Sequence, residues 1–96
     1  MAKAPQNSVD LPAVVDLDAI DGVRDNLIAA IERGPVTVTA GAVVRISTNA
    51  LVLLLSAAET ARRSNFAFEI TGASAAARAA IDRLGFGEAF AGVMKG

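Results

Sequence analysis

Two hydroxyl side chains and an amide stand together in the middle of the chain, at Ser47, Thr48 and Asn49. They come shortly after an apolar lead-in, Val43 and Val44, and they precede an apolar block over residues 51–55. All three residue types are favoured at helix N-caps, where a side-chain oxygen accepts a hydrogen bond from a backbone N–H. The same place also suits a phosphate or another anion, because the helix dipole and the free N–H groups favour negative charge. From these residues alone the cap is the preferred interpretation, and a modification or anion site is the alternative.

The residue types that most other site chemistry needs are missing. The chain has no cysteine and no histidine, which excludes disulfides, histidine-based triads and most metal sites. Four aspartates around the first predicted helix form a group that we interpret as a solvated face, because a Ca²⁺ site needs a denser oxygen cage. These aspartates are Asp16, Asp18, Asp21 and Asp25. We therefore expect no enzyme activity, no cofactor and no metal, and a function in protein–protein recognition.

Length and charge limit the class of protein further. The chain has 96 residues, which predicts a single domain. Residues 1–8 are polar and contain Pro5, so we expect a disordered tail there and the domain over residues 9–96. The formal net charge is −1, with both signs interspersed, so we expect no nucleic-acid partner. The longest apolar run, residues 50–55, is too short to cross a bilayer, and the N-terminus lacks the apolar core of a signal peptide. These features predict a soluble, cytoplasmic protein without direct membrane insertion.

Helical periodicity predicts three helices. The first is expected over residues 18–33 with Asp18 as its N-cap, the second over residues 49–63, and the third over residues 74–84 with Ser74 as its N-cap. The predicted inward positions are Leu51, Leu54, Leu55, Ala58 and Ala61 in the second helix, and Ala77, Ala80, Ile81 and Leu84 in the third. A short last turn over residues 86–90 should pack two phenylalanine rings against the core.

β-Branched and alternating segments predict the strands. Residues 36–39 are β-branched throughout, with valines on one side and threonines on the other. Residues 43–46 form a second short extended piece, and residues 66–70 alternate in the manner of a strand. Pro12 limits residues 9–15 to an edge strand or to two very short pieces, since proline cannot donate to the ladder.

Strands and helices thus alternate along the chain. Such alternation indicates a sheet with parallel crossovers, and it places the chain in the α/β class. We expect a small mixed four-stranded sheet with three to four helices, which lie on one face or are unevenly distributed.

Three short sequence motifs follow one another along the chain. Residues 43–51 read V-V-R-I-S-T-N-A-L, residues 70–74 lead a strand through T-G-A to a serine that opens a helix, and residues 84–86 read L-G-F. Together they resemble the STAS domains, a family named for sulfate transporters and anti-sigma factor antagonists. The family pattern for the first motif is I-D-[ST]-[SAT]-[GA]-L. The resemblance covers about residues 9–90 and implies a STAS-like fold of the compact bacterial type.

The resemblance also implies a site. Aligning Ile46 and Leu51 with the family pattern puts Thr48 on the position that many members phosphorylate, and it makes Ser47 the alternate phosphoacceptor. Ser47 stands where the family usually has an aspartate, and so does Thr39 at the end of its strand. The implied partner-binding residues are Ser47, Thr48, Asn49, Ala50 and Val52.

Two functions follow from the resemblance. The first is a non-enzymatic interaction module, similar to an anti-sigma factor antagonist, that binds a histidine-kinase-like ATPase or another signalling partner through the start of helix 2. Phosphorylation of Thr48 would switch that binding. The alternative is a constitutive subunit, similar to the small STAS component of bacterial phospholipid-transport ATPases, whose second helix contacts the transporter ATPase. The missing carboxylates at Ser47 and Thr39 favour this unmodified contact. The oligomeric state stays open.

Overall fold

Short strands alternate with helices throughout the observed structure. The computed structural model describes residues 7–95, and the side chains of residues 7–94. Over this part of the chain it contains six strands and four helices. In chain order they are β1 (Ser8–Asp10), β2 (Val14–Val15), α1 (Leu17–Arg33), β3 (Val36–Thr39), β4 (Arg45–Ile46), α2 (Thr48–Arg63), β5 (Phe68–Thr71), α3 (Ala75–Arg83), α4 (Gly87–Phe90) and β6 (Met94–Lys95).

The main sheet has four strands in the order β1-β3-β5-β6. Its strand pairs place Val9 beside Val38, Val38 beside Ile70, and Ile70 beside Met94. A second, two-stranded sheet joins β2 to β4 and pairs Val15 with Ile46. The predicted α/β class with a small four-stranded sheet and three to four helices is confirmed.

The prediction that this sheet is mixed is wrong for the described strands. Every strand pair among residues 7–95 is parallel. A helix lies between each pair of neighbouring strands of the main sheet, so each connection returns the chain to the same end of the sheet, and parallel pairing follows. The strand β6 is an addition that the sequence pattern did not predict.

The helices cover one face of the main sheet. The valines of β3 are buried while its threonines are half-buried, and β5 alternates in the same way. The buried side chains of the strands share one core with those of α1, α2, α3 and α4. The other face of the sheet carries polar side chains at Thr37, Thr39, Glu69 and Thr71, so only one face of the sheet drives folding through apolar burial.

Two helix starts differ from the prediction. The N-cap of α1 is Asp16, whose Oδ1 accepts a hydrogen bond from the backbone N–H of Asp18 at 3.1 Å, so Asp18 is not the cap. The N-cap of α2 is Ser47, and Asn49 lies inside the helix. The predicted end of α1 at Arg33 is confirmed, with Gly34 following it at a φ of 135°, a backbone conformation that glycine adopts without a Cβ penalty.

The buried face of α2 is rolled relative to the prediction. Leu51, Leu54 and Ala61 are buried as expected, whereas Leu55 and Ala58 are only half-buried. Their places in the core are taken by two alanines, Ala50 and Ala57.

The third helix follows its prediction more closely. Ser74 is its N-cap, and its three buried residues are Ala77, Ala80 and Ile81. Leu84 is 41% exposed, so its predicted inward position is wrong. The short last turn is confirmed as α4, where the rings of Phe86 and Phe90 meet edge to face with centroids 6.4 Å apart.

The N-terminal boundary also moves. Ser8 belongs to β1, and the side-chain amide of Asn7 donates to the backbone oxygen of Ala30. Both residues are therefore part of the domain, which corrects the predicted boundary after residue 8. The remainder of the predicted tail, residues 1–6, lies outside the described residues. The interruption at Pro12 is confirmed, since β1 and β2 are two very short pieces.

Candidate functional site at the entrances of α1 and α2

The two helix entrances lie side by side because two paired strands lead into them. One residue separates β2 from α1, and one residue separates β4 from α2. These linking residues, Asp16 and Ser47, are the N-caps of the two helices. The strand pairing reaches this point, since the backbone N–H of Ser47 donates to the oxygen of Val15 at 2.9 Å. The neighbouring strand therefore carries a carboxylate, Asp16, at the position equivalent to Ser47.

Ser47 uses its hydroxyl oxygen for the fold. Its backbone is extended, and Oγ accepts a hydrogen bond from the backbone N–H of Ala50 at 3.1 Å. The residue is half-buried. This contact satisfies one of the N–H groups that the first turn of a helix leaves without an intrahelical partner.

Thr48 differs from Ser47 in both hydrogen bonding and burial. It is the first residue of α2, and it is exposed. Among the described residues, its hydroxyl takes part in no hydrogen bond. The structure therefore gives the cap to Ser47 and leaves the Thr48 hydroxyl in contact with solvent.

The other predicted partner-binding residues divide into two groups. Asn49 is exposed and Val52 is 46% exposed. Val52 lies one helical turn after Thr48, so the two side chains share a face. Ala50 is 1% exposed. Its side chain packs into the core under the first turn of α2 and does not belong to this exposed face, so its part in partner binding stays a prediction.

The charges of α2 suit an anion at its start. The first turn of the helix contains no acidic residue, and the last turn carries Arg62 and Arg63, so the fixed charges on the helix follow its dipole. The hydrogen bond from Arg62, with help from Arg63, lowers the pKa of Glu59. Because the pKa is lower in the folded state, this cluster adds stability above the unfolded pKa and loses it as the pH falls. It lies about three turns from Thr48 along the helix.

Thr39 has a carboxylate partner from another strand. Its hydroxyl donates to Oδ1 of Asp10 at 2.6 Å, and the two residues are register partners in β1 and β3. The resemblance predicts an aspartate at this end of β3. A carboxylate is present there, but β1 supplies it.

Ser74 holds the loop before β4 in place, a role that the sequence did not reveal. Its hydroxyl accepts from the N–H of Ala77 at 3.1 Å and also donates to the backbone oxygen of Val43 at 2.6 Å. Its own N–H donates to the oxygen of Ala40. One side chain therefore caps α3 and ties it to the segment that leads to Ser47. The strand–loop–serine motif predicted only the cap.

No group of three or more potential ligands that could hold a metal ion occurs among the described residues. In the same part of the chain, no helix is long and apolar enough to cross a membrane.

A fold of this kind, with parallel strands that lead into helices covering one sheet face, also occurs in a solved structure of another protein. A sulfate transporter family protein from Wolinella succinogenes matches the chain with a TM-score of 0.69 and 17% sequence identity. The match covers 97% of this chain and 80% of that one. No family model matches the chain, and no curated protein matches it significantly. At this level of identity the likeness establishes the fold, and it confirms the predicted STAS-like architecture.

Proposed function

We propose that this chain is a non-enzymatic interaction module of the anti-sigma factor antagonist type, which acts in the cytoplasm. It binds a histidine-kinase-like ATPase or a related signalling protein through the entrance of α2, and phosphorylation of Thr48 releases that partner. The observation that carries the proposal is that two adjacent hydroxyls differ in their contacts. Ser47 caps the helix, and Thr48 stands exposed beside it without a structural task.

The geometry makes modification of Thr48 compatible with the fold. A phosphate adds about −1.5 to −2 charges at pH 7. At the start of α2 it meets the positive end of the dipole and no acidic residue in the first turn, so the helix tolerates it. A partner that covers the same spot meets a bulky dianion next to the apolar side chain of Val52. Binding is thereby lost without a change of conformation.

A carboxylate, that of Asp16, also lies close to the proposed phosphorylation site. The resemblance predicts an aspartate at position 47, and the chain has a serine there. Asp16 lies at the equivalent position of the neighbouring strand, as the N-cap of α1. We propose that its negative charge replaces part of what the aspartate provides in the resembling family.

A second candidate is the constitutive subunit of a phospholipid-transport ATPase. The exposure of Val52, at 46%, favours it, because an apolar contact at this face needs no switch. In this candidate the start of α2 contacts the transporter ATPase, and Thr48 is never modified.

Capture of the partner distinguishes the two candidates. Tagged wild type, Thr48→Ala, Thr48→Glu and Val52→Asp are expressed in the organism of origin, and the bound proteins are identified by mass spectrometry. Ala79→Glu is the matched control, since it adds the same charge at an exposed position of α3. We expect a kinase-like ATPase with wild type, Thr48→Ala and Ala79→Glu, and its loss with Thr48→Glu.

Three other results would change the account. Capture of a transporter ATPase by both wild type and Thr48→Glu would support the constitutive subunit and overturn the switch. Capture of the same kinase-like ATPase by all Thr48 variants would also overturn the switch. Retention of the partner by Val52→Asp would show that the entrance of α2 is not the contact surface, which would overturn both candidates.

A further inference from the structure

An apolar groove runs between the outer sides of α1 and α2, starting one turn beyond the site at Thr48. Its volume is about 310 Å³. Apolar side chains dominate its surface, and charged or hydroxyl side chains occur only along the rim. The apolar lining consists of Leu27, Ile28, Ile31, Leu53 and Ala57, and the rim consists of Arg24, Glu32, Ser56 and Thr60.

Ile28 forms a ridge beside this groove. Its side chain is 51% exposed, although Leu27 next to it is 1% exposed. An exposed branched side chain next to an apolar groove provides both parts of a ridge-into-groove contact on one surface. A surface of this kind can pack against its own copy.

The charges on α1 are arranged symmetrically about Ile28. Arg24 precedes Ile28 by four residues, and Glu32 follows it by four residues, so all three lie on one stripe of the helix. A two-fold axis beside Ile28 and perpendicular to α1 would bring Arg24 of each copy to Glu32 of the other, and the same ion pair would form twice. Arg24 also pairs with Asp21 at 3.0 Å. Both of those side chains are at least half exposed, and an exposed pair of this kind contributes little.

We propose that this groove is a homodimer interface. A second copy of the chain packs with α1 antiparallel to α1, and Ile28 of each copy enters the groove of the other. The stripe of Arg24, Ile28 and Glu32 is complementary in charge to the same stripe running in the opposite direction. A second copy of α1 therefore fits this surface better than an unrelated helix. The proposal is independent of the function assigned to Thr48, since the groove begins at Leu53 and leaves the first turn of α2 free.

Sedimentation velocity of the full chain over a range of concentrations tests the proposal. We expect the mass of wild type to rise with concentration toward twice the 9.8 kDa of one chain. Ile28→Asp should remain a monomer at the highest concentration. Leu84→Asp is the matched control, because Leu84 is also an exposed apolar residue, at 41%, and lies at the C-cap of α3 outside the groove lining. This variant should dimerise as wild type does. Circular dichroism melting shows whether each variant is folded.

A charge exchange tests the antiparallel geometry. Arg24→Glu alone and Glu32→Arg alone each place like charges across the axis twice, and each should raise the dissociation constant about tenfold. The double variant, R24E/E32R, restores opposite charges and should return the constant to near its wild-type value. A structural role of either residue within one chain would not produce this rescue.

Several outcomes would overturn the proposal. Wild type could stay a monomer at millimolar concentration, or the dimer could persist in Ile28→Asp. Failure of the double variant to recover would contradict the antiparallel arrangement. If wild type stays monomeric and Ile28→Asp fails to capture a protein that wild type captures from cells, the groove binds that protein and not a second copy.

Discussion

At the residue scale, the adjacent hydroxyls of Ser47 and Thr48 differ in their contribution to the fold. The Ser47 hydroxyl accepts from Ala50 N–H, so Ser47→Ala should lower the free energy of unfolding by about 1 kcal/mol. Thr48→Ala should lower it by less than about 0.5 kcal/mol, since an exposed side chain without a partner is removed. Urea unfolding of both variants measures the difference. Equal losses, or a larger loss at Thr48, would show that the cap is assigned to the wrong residue.

The Ser74 hydroxyl makes a second hydrogen bond in addition to its helix cap. Ser74→Ala removes the acceptor for Ala77 and also the donor to the oxygen of Val43. We expect a loss of about 2 kcal/mol, because a carbonyl is left unpaired in addition to the lost cap. Ser56→Ala is the control, at an exposed position of α2, and should change stability by less than about 0.5 kcal/mol. A loss at Ser74 no larger than the control's would contradict the role of Ser74 in holding the loop.

The caps of α1 and α2 could be predicted from the sequence only to within two residues, whereas the cap of α3 at Ser74 was predicted correctly. Cap-type residues occur in close succession at both entrances, as Asp16 and Asp18 before α1 and as residues 47–49 before α2. Local preference does not choose among them. The choice is made by the ladder between β2 and β4, which holds the chain extended through Val15 and Ile46. Both helices therefore start earlier than predicted.

At the element scale, the roll of α2 about its axis decides which leucines stabilise the protein. Leu54 is 3% exposed and Leu55 is half-buried, although they are adjacent and of the same type. Leu54→Ala should lower the free energy of unfolding by about 3 kcal/mol. Leu55→Ala should cost about 1 kcal/mol, because it removes less buried area and leaves no enclosed cavity. Chemical unfolding of the two variants makes the comparison, and equal losses would contradict the observed roll.

The rotation of α2 about its axis could not be predicted from hydrophobic periodicity, because residues 51–55 form a continuous apolar run. Several rotations of the helix bury a similar number of leucines. The structure selects the rotation that puts Ala50, Ala57 and Ala61 inward, where small side chains let the helix approach its neighbours closely. The same rotation turns Thr48 and Val52 outward and gives the entrance its exposed face.

At the scale of the whole molecule, the alternation of elements determines where the site lies. Parallel strands joined by helices bring the helix starts to the carboxyl ends of the strands, the edge at which α/β proteins commonly bind their ligands. This part of the fold was predictable, because strand and helix patterns alternate clearly along the chain. The strand β6 was not, since a two-residue strand has no periodicity and owes its existence to pairing with Ile70 and Thr71.

The candidate site could be proposed from the sequence only as a segment. The resemblance implies a site within residues 47–52, but it could not show which side chains of that segment face the core. Ala50 faces inward, Ser47 is occupied by the cap, and Thr48 and Val52 remain exposed. The three-dimensional structure thus reduces a linear motif to a small exposed face at the entrance of α2.

In the function proposed above, negative charge at Thr48 controls binding at this face without altering the fold. The most direct test of this claim is the affinity of the captured partner for wild type, Thr48→Ala, Thr48→Glu and the control Ala79→Glu, measured by isothermal titration calorimetry. We predict that Thr48→Glu binds at least about tenfold more weakly, a loss of about 1.4 kcal/mol, while its thermal unfolding stays close to that of wild type. Thr48→Ala and Ala79→Glu should bind as wild type does. Undiminished binding by Thr48→Glu would contradict the account.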